Sequence, residues 1–445
     1  MSYNLVSFVK RRIPIMSHAQ IVERSHATVT LQVTISLDPK SMLRSEEAIR
    51  DALNNAGCLA AEQALKQFDT DGSPIILGDI KLTSKGLYHK TYQTQWGEAK
   101  IERHVYQSTK GGRQYCPLEK DARIFLTATP GLVKLLSCKY AELGSSRALF
   151  DLQHCHGRNI ARSYLKSIGD AVGAVAQAKE QAWTYAPPEL DKPAKSVSVG
   201  IDGTCMLLTE GGWRESMVGT ISLYDREGER LHTIQMGATP EYGKKKFYDR
   251  FDQELSKVKE RYPKASYVAI ADGAKDNGSY LRSRTDRQWV DFWHAVGYLG
   301  KAGDALFSGK RQRVARKEWL DQACHRLKSQ PGSATRLYNE LKEHLERGSF
   351  KKTDKEHLLA SVTYFKNNKS KMHYSRHRSD NLPIGSGVTE AACKTLVKQR
   401  LCHSGMRWKE AGAQAVLSLR GLTHTDARWD QCWRKLDQYG FDLAA

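Results

Sequence analysis

Two aspartates share one local setting. In Val197-Ser198-Val199-Gly200-Ile201-Asp202-Gly203-Thr204 and in Tyr267-Val268-Ala269-Ile270-Ala271-Asp272-Gly273-Ala274, an apolar run ends on Asp and is followed by Gly. In an α/β sheet, ligand-binding groups collect at the carboxyl ends of the strands. A single Asp-Gly is also an ordinary turn, but two of them ending core strands of one sheet point to a carboxylate pair. A third carboxylate, Glu390, follows the Gly-rich stretch Leu382-Pro383-Ile384-Gly385-Ser386-Gly387 and opens a helix with Thr389 as its expected cap. The helix dipole alone favours Glu in a first turn. Lys394 and Lys398 lie one and two turns further on, with Arg400 nearby. A carboxylate backed by lysines suits a metal ion held beside a phosphate backbone.

Placing these groups requires a sheet and a late helix. Strand patterns cover Ser196–Ile201, Met217–Tyr224, Arg230–Met236 and Tyr267–Ala271, with a fifth over Trp289–Trp293 and a helix over Lys244–Arg261. Three strands on short turns, a helix and a buried strand make a mixed α/β sheet. No strand pattern appears from Gly297 to about Asn367. Arg316–Leu327 and Thr335–Leu345 read instead as amphipathic helices separated by Pro331-Gly332, a helical insertion.

Upstream, Val29, Leu31, Val33, Ile35 and Leu37 alternate as in a half-buried strand. A helix opens at Ser45-Glu46-Glu47, and His89–Tyr106 reads as a hairpin around Trp96-Gly97. From Pro130 to Trp183 three helices are expected, the third from about Arg158. On it Arg158, Arg162 and Lys166 fall on one face with Asn159 beside them, as in a helix-turn-helix whose last helix enters a major groove. An ordinary solvated basic face has the same pattern. Residues 185–195, with three of the chain's twelve prolines, read as a stiff extended linker.

The 445 residues carry 69 Lys+Arg against 49 Asp+Glu, a net charge of +20, and the pI is about 9.4. Mean hydropathy is −0.57 and no apolar window approaches the roughly 18 residues of a membrane span. Nothing at the start reads as a signal peptide, and whether Met1 or Met16 is the natural start stays open. Nine scattered cysteines without a CxxC pair suggest neither a disulfide framework nor a zinc knuckle, and so a reducing cytoplasm. A charge excess this large points to a polyanionic partner. Residues 297–445 hold 28 Lys+Arg and 15 acids, most of the surplus, and Lys310, Arg311, Arg313, Arg316 and Lys317 open the insertion. Arg407-Trp408 offers a guanidinium and a ring on which an unpaired base could stack.

The chain resembles a known family. Gly200-Ile201-Asp202-Gly203-Thr204, Ala271-Asp272-Gly273-Ala274 and the block Pro383–Trp408, with Ile384-Gly385-Ser386-Gly387, Glu390-Ala391-Ala392-Cys393-Lys394 and Ser404-Gly405-Met406-Arg407-Trp408, are similar to DDE transposases of bacterial insertion sequences, closest to the ISKra group. The hairpin around Trp96-Gly97 and Cys116-Pro117-Leu118-Glu119 is similar to their N-terminal region. The strong part covers about residues 196–421. Val388 departs from the pattern, where Pro is expected.

The resemblance implies an RNase H-like catalytic domain with Asp202, Asp272 and Glu390 as catalytic metal ligands. Asp291-Phe292-Trp293-His294 is similar to the D(2)H signature of related groups, which implies a supporting role for His294. An inserted domain accounts for the 118 positions between Asp272 and Glu390. The expected division is 1–110, an α+β module and possible dimer contact; 111–184, helix-turn-helix-like; 185–195, linker; 196–300 and 381–421, the two parts of the catalytic domain; 301–380, the insertion; and 422–445, a helical tail. Phosphodiester cleavage needs a strong nucleophile and relief of charge on the leaving oxygen, which two Mg²⁺ ions supply, with Mn²⁺ as substitute. Asp202 is expected to bridge both ions, flanked by Asp272 and Glu390. The implied partners are double-stranded DNA, as element ends and target, and a second copy of the chain or a higher assembly, in a bacterial cytoplasm at the nucleoid. Arg158, Asn159, Arg162, Lys166, Arg311, Arg313, Lys394, Lys398, Arg400, Arg407 and Trp408 are the expected DNA contacts. Two alternatives stay open: an RNase H-like nuclease or resolvase without strand transfer, and a domesticated transposase that only binds DNA.

Overall fold

The computed structural model describes residues 18–25, 27–180, 182–241, 244–271 and 275–442. They form two compact units, one of residues up to Gly169 together with Lys435–Asp442, the other of Asp170–Arg434.

In the first unit β1 (His18–Arg24) and β2 (Val29–Thr34) pair as an antiparallel ribbon. The Ser41 hydroxyl caps α1 (Met42–Lys66) by accepting from the Arg44 backbone N–H. β3 (Ile75–Leu77), β4 (Ile80–Gln93), β5 (Glu98–Ser108) and β6 (Gly111–Tyr115) form an antiparallel sheet in that order. Alternation along β4 and β5 buries Tyr92, Ala99 and Ile101 against Leu65 of α1 and Leu118 of α2 (Pro117–Asp121). Three helices follow: α3 (Pro130–Glu142), α4 (Ser145–His156) and α5 (Arg162–Lys179). The division between units falls inside α5.

The expected recognition face is not a continuous helix surface. Gly157 has a left-handed φ of 66° that ends α4, and residues 158–161 form a loop, so the third helix starts at Arg162. Arg158 is buried, with its guanidinium donating to Gln93 Oε1 at 3.0 Å. Desolvation holds its pKa below the usual arginine value. Arg158 is therefore an internal tie and not a DNA contact. Asn159 is exposed on the loop, and Arg162 and Lys166 are exposed on α5. Arg50 and Asn54 of α1 also donate to the carbonyls of His154 and His156, so the two expected N-terminal domains form one unit.

The second unit is built on a five-stranded sheet. β7 (Ser196–Leu208), β8 (Gly212–Tyr224) and β9 (Arg230–Ala238) make an antiparallel meander, and α6 (Lys245–Arg261) crosses to β10 (Ser266–Ala271). β10 runs parallel to β7, and after α7 (Lys275–Arg282) comes β11 (Arg287–Val290), parallel to β10. The spatial order is β11-β10-β7-β8-β9, a mixed α/β sheet with both faces covered. On one face Val197, Val199, Ile201 and Ala269 pack with Phe247, Phe251 and Leu255 of α6. On the other, Val268 and Ile270 share a core with the helices α8 (Phe292–Leu306), α9 (Arg313–Ser329), α10 (Ser333–Arg347) and α11 (Lys352–Asn368). The insertion is thus fused to the sheet by a common core.

The chain then passes through α12 (Tyr374–Ser379) to α13 (Gly387–Ala392), a π turn (Cys393–Lys398), α14 (Gln399–Leu401), α15 (Glu410–Thr423) and α16 (Arg428–Tyr439). Arg420 of α15 is buried and donates to the Thr395 and Leu396 carbonyls of the π turn, whose widened ladder needs such partners.

Three expectations are corrected. The fifth strand stops at Val290, because Asp291 caps α8 and Trp293 lies on that helix. Residues 185–195 are irregular as expected but are tied down: Ala186 exchanges hydrogen bonds with Gln431, and Lys192 meets the buried Asp225 at 2.8 Å. Asp202 lies within β7, not at its end. No described helix is long and apolar enough to cross a membrane.

Candidate active site

β7 is two strands in one. Up to Ala269↔Val199 it pairs on one side with β10, while on the other its ladder with β8 runs to Leu208↔Gly212. Asp202 sits beyond the last parallel pair with β10, where β7 keeps only its ladder with β8. Functionally this is still a sheet end, although the strand itself continues.

Gly200 explains how a helix reaches that point. Gly200 and Asp202 are two apart and share a face of the sheet. A Cβ at 200 would lie 2.1 Å from Thr389 Oγ1, so only glycine lets α13 seat this closely. Thr389 is buried and shares a 2.7 Å hydrogen bond with Thr220 of β8, the register partner of Gly200. Thr389 is therefore the pin of the helix and not its cap; Ser386 stands at the N-cap position. One turn on, the Cys393 thiol donates to Asp202 Oδ2 at 3.6 Å. Burial and the neighbouring Asp202 push the Cys393 thiol well above its usual pKa, so it stays protonated as a donor.

Asp202 and Glu390 line one open cleft of about 800 Å³ with Lys394, Lys398 and His403. Glu390, Lys394 and Lys398 are exposed, the two lysines along the π turn. Ser386 Oγ donates to Glu390 Oε1 at 2.8 Å. Asp272 lies outside the described residues; the last residue described before it, Ala271, ends β10 beside β7.

Asp291, which sequence patterning pairs only with His294, organises the second wall. Its side chain is fully buried. It accepts from the His294 backbone N–H at 2.6 Å and from the Ser386 N–H, while its own N–H donates to the Ala271 carbonyl at 2.8 Å. Burial alone would raise its pKa, but the hydrogen bonds from His294 and Ser386 outweigh it and hold the carboxyl below the usual range. One carboxylate thus links the end of β10, the start of α8 and the loop into α13. His294 Nδ1 lies 3.4 Å from Asp291 Oδ1 and 3.9 Å from Glu390 Oε1. Asp291, His294 and Glu390 bring possible ligand atoms within 4.8 Å of one another. The legible signal for Asp291 was its place as an Asp three residues before a His at a strand-to-helix junction.

The remaining expected contacts divide. Arg311, Arg313 and Arg407 are exposed. Arg400 is buried, with its guanidinium 5.1 Å from the Trp408 ring centre. Trp408 donates from Nε1 to the Leu401 carbonyl, and its backbone pairs with Leu207 and Thr209. These two close the 402–408 loop onto β7. Arg400 is not a surface cation, and the Trp408 indole is already engaged.

Comparison of the chain with protein-family models and with curated proteins gives no match, which leaves functional inference to the site's own geometry.

Proposed function

We propose that this chain is a DDE transposase with an RNase H-like catalytic domain, which binds insertion-sequence ends and carries out metal-dependent DNA cleavage and strand transfer. One observation carries this reading: Asp202 and Glu390, remote in sequence, open on one cleft with Lys394 and Lys398 on its wall. Carboxylates for a hard cation and ammonium groups for a phosphate, side by side, suit phosphodiester chemistry.

The donor set fits Mg²⁺. Asp202 and Glu390 present carboxylate oxygens to an open cleft, and the thiol on Asp202 is a weak donor that yields to a cation. Asp272 completes the proposed set. Mg²⁺, when bound, supplies an ionised water or 3′-OH and relief of charge on the leaving 3′ oxygen. Lys394 and Lys398 hold phosphate oxygens against the cleft. Asp291 fixes the loop that aims Glu390, and His294, braced by Asp291, orients a phosphate oxygen beside it. Exposed Arg162, Lys166, Arg311, Arg313 and Arg407 extend the DNA surface. The protein works on duplex DNA as a dimer or larger assembly.

The test uses a duplex carrying the element's own terminal repeat. Asp202→Asn, Asp272→Asn and Glu390→Gln should each abolish Mg²⁺-dependent strand cleavage and leave duplex binding intact; cleavage by any of the three sinks the assignment. Pre-cleaved ends should be joined to target DNA by the wild type. Cleavage without joining would mark a nuclease, and binding without cleavage a DNA-binding relic.

A further inference from the structure

Away from the carboxylate cleft, α7 and α11 flank a groove of about 940 Å³. Ser279 and Arg282 of α7 line it together with Thr363 and Asn367 of α11 and with Lys371. Tyr298 and Tyr364 also line it, stacked at 3.9 Å, with the Lys301 ammonium 4.6 Å from the Tyr298 ring centre. Glu356 is the one carboxylate among the described lining residues.

The charge around this groove is one-sided. Residues 357–379 contain no Asp or Glu but hold Lys366, Lys369, Lys371, Arg376 and Arg378. Among the described residues, Arg282, Lys366, Lys371, Arg376 and Arg378 make no ion pair. Burial and the nearby Arg282 hold the Lys371 ammonium below its usual pKa, and burial, His373 and Arg287 do the same to the His377 imidazole. Arg282 of α7 and Lys371 after α11 therefore repel one another across a surface lined with hydroxyl and amide groups, whereas Arg287 of β11 is paired with Asp380 at 3.3 Å. Such crowding is unfavourable in the free protein and is relieved by a bound polyanion. A single small anion would need one cation pair; unpaired cations spread over α7, α11 and α12 suit a polymer whose phosphates repeat along it.

We propose that the groove between α7 and α11 binds the phosphodiester backbone of duplex DNA, with Arg282 and Lys371 as phosphate contacts. This deepens the proposed function by adding a stretch of the DNA path, and it rests on DNA being the partner, not on the cleavage chemistry. α7 begins three residues after Asp272 in the chain, so a backbone held here is held by the helix that follows the proposed second metal ligand.

The experiment is fluorescence anisotropy of a labelled duplex of about 20 base pairs, without divalent metal, from about 50 to about 200 mM KCl. Each phosphate contact contributes about 0.9 to the slope of log affinity against log salt, so R282A/K371A should flatten the slope by about 1.8 and R282K/K371R should retain it. R282A alone, at an exposed position, should lose about 0.9, which keeps the test open if changes at the half-buried Lys371 impair folding. A wild-type slope in a folded R282A protein overturns the proposal. Tight binding that inorganic phosphate at equal charge concentration abolishes would also overturn it, in favour of a small-anion site. Because no metal is present, an Asp202→Asn protein that still cleaved would defeat the transposase assignment and leave this result untouched.

Discussion

At the scale of single residues, the site depends on a missing side chain as much as on charged ones. Gly200→Ala would drive a methyl into Thr389 and lift α13 from β7. Overpacking of this kind costs about 1–3 kcal/mol, to be read as a lower denaturation midpoint, and cleavage should fall with it because Glu390 rides on the same helix. Thr389→Val keeps the shape but leaves the buried Thr220 hydroxyl without this partner. A loss of about 1–2 kcal/mol is expected by urea titration; no loss would mean the Thr–Thr bond is not what pins the helix. The Gly-Ile-Asp-Gly pattern was visible in the sequence. Why its first glycine is needed was not, because the colliding atom belongs to a residue 189 positions away.

At the scale of elements, strands and helices meet in two buried polar groups. Asp291 joins β10, α8 and the loop before α13. Asp291→Asn keeps the size but turns a charged acceptor into a neutral amide, and should cost about 1–3 kcal/mol with a larger drop in cleavage than in duplex binding, measured on one preparation. His377 is the other group: its ring stacks on Trp289 of β11 at 3.7 Å. Burial and the surrounding His373 and Arg287 lower its pKa to about 4. The folded state thus keeps it neutral while the unfolded chain protonates near the ordinary histidine value. Its contribution is full above that value and is lost as pH falls toward 4. Between about pH 6.5 and 5 the loss should approach 2 kcal/mol; a His377→Phe protein should show a shallower decline in its urea midpoint over that range, and an unchanged decline would rule the stacked ring out as the source.

At the scale of the whole molecule, charge is distributed with a direction. The surplus lies mainly in residues 297–445, and wild-type affinity for duplex DNA should fall steeply with salt, by roughly three orders of magnitude or more between about 50 and 200 mM if six or more phosphates are neutralised. A flat salt response would remove the case for a polyanionic partner altogether. The insertion is part of this design, since its helices share one core with Val268 and Ile270 of the sheet. Loosening that core, for instance with Phe365→Ala at a fully buried position, should cost about 3–5 kcal/mol and melt the five-stranded sheet together with the insertion in a single transition.

Periodicity, punctuation and charge along the chain are enough to place the α/β sheet, its helical insertion, the irregular proline-rich segment and Glu390 in the first turn of its helix, because each of these leaves a local trace in burial pattern or backbone freedom; that β7 runs on past Asp202 left none. Whether a side chain such as Arg158, Arg400 or Trp408 faces solvent or a neighbour leaves none: a cation on an amphipathic run looks the same in either setting. That choice, like the seating of Thr389 over Gly200 and the role of Asp291, was made when segments far apart in the chain packed together and competed for the same few ångströms.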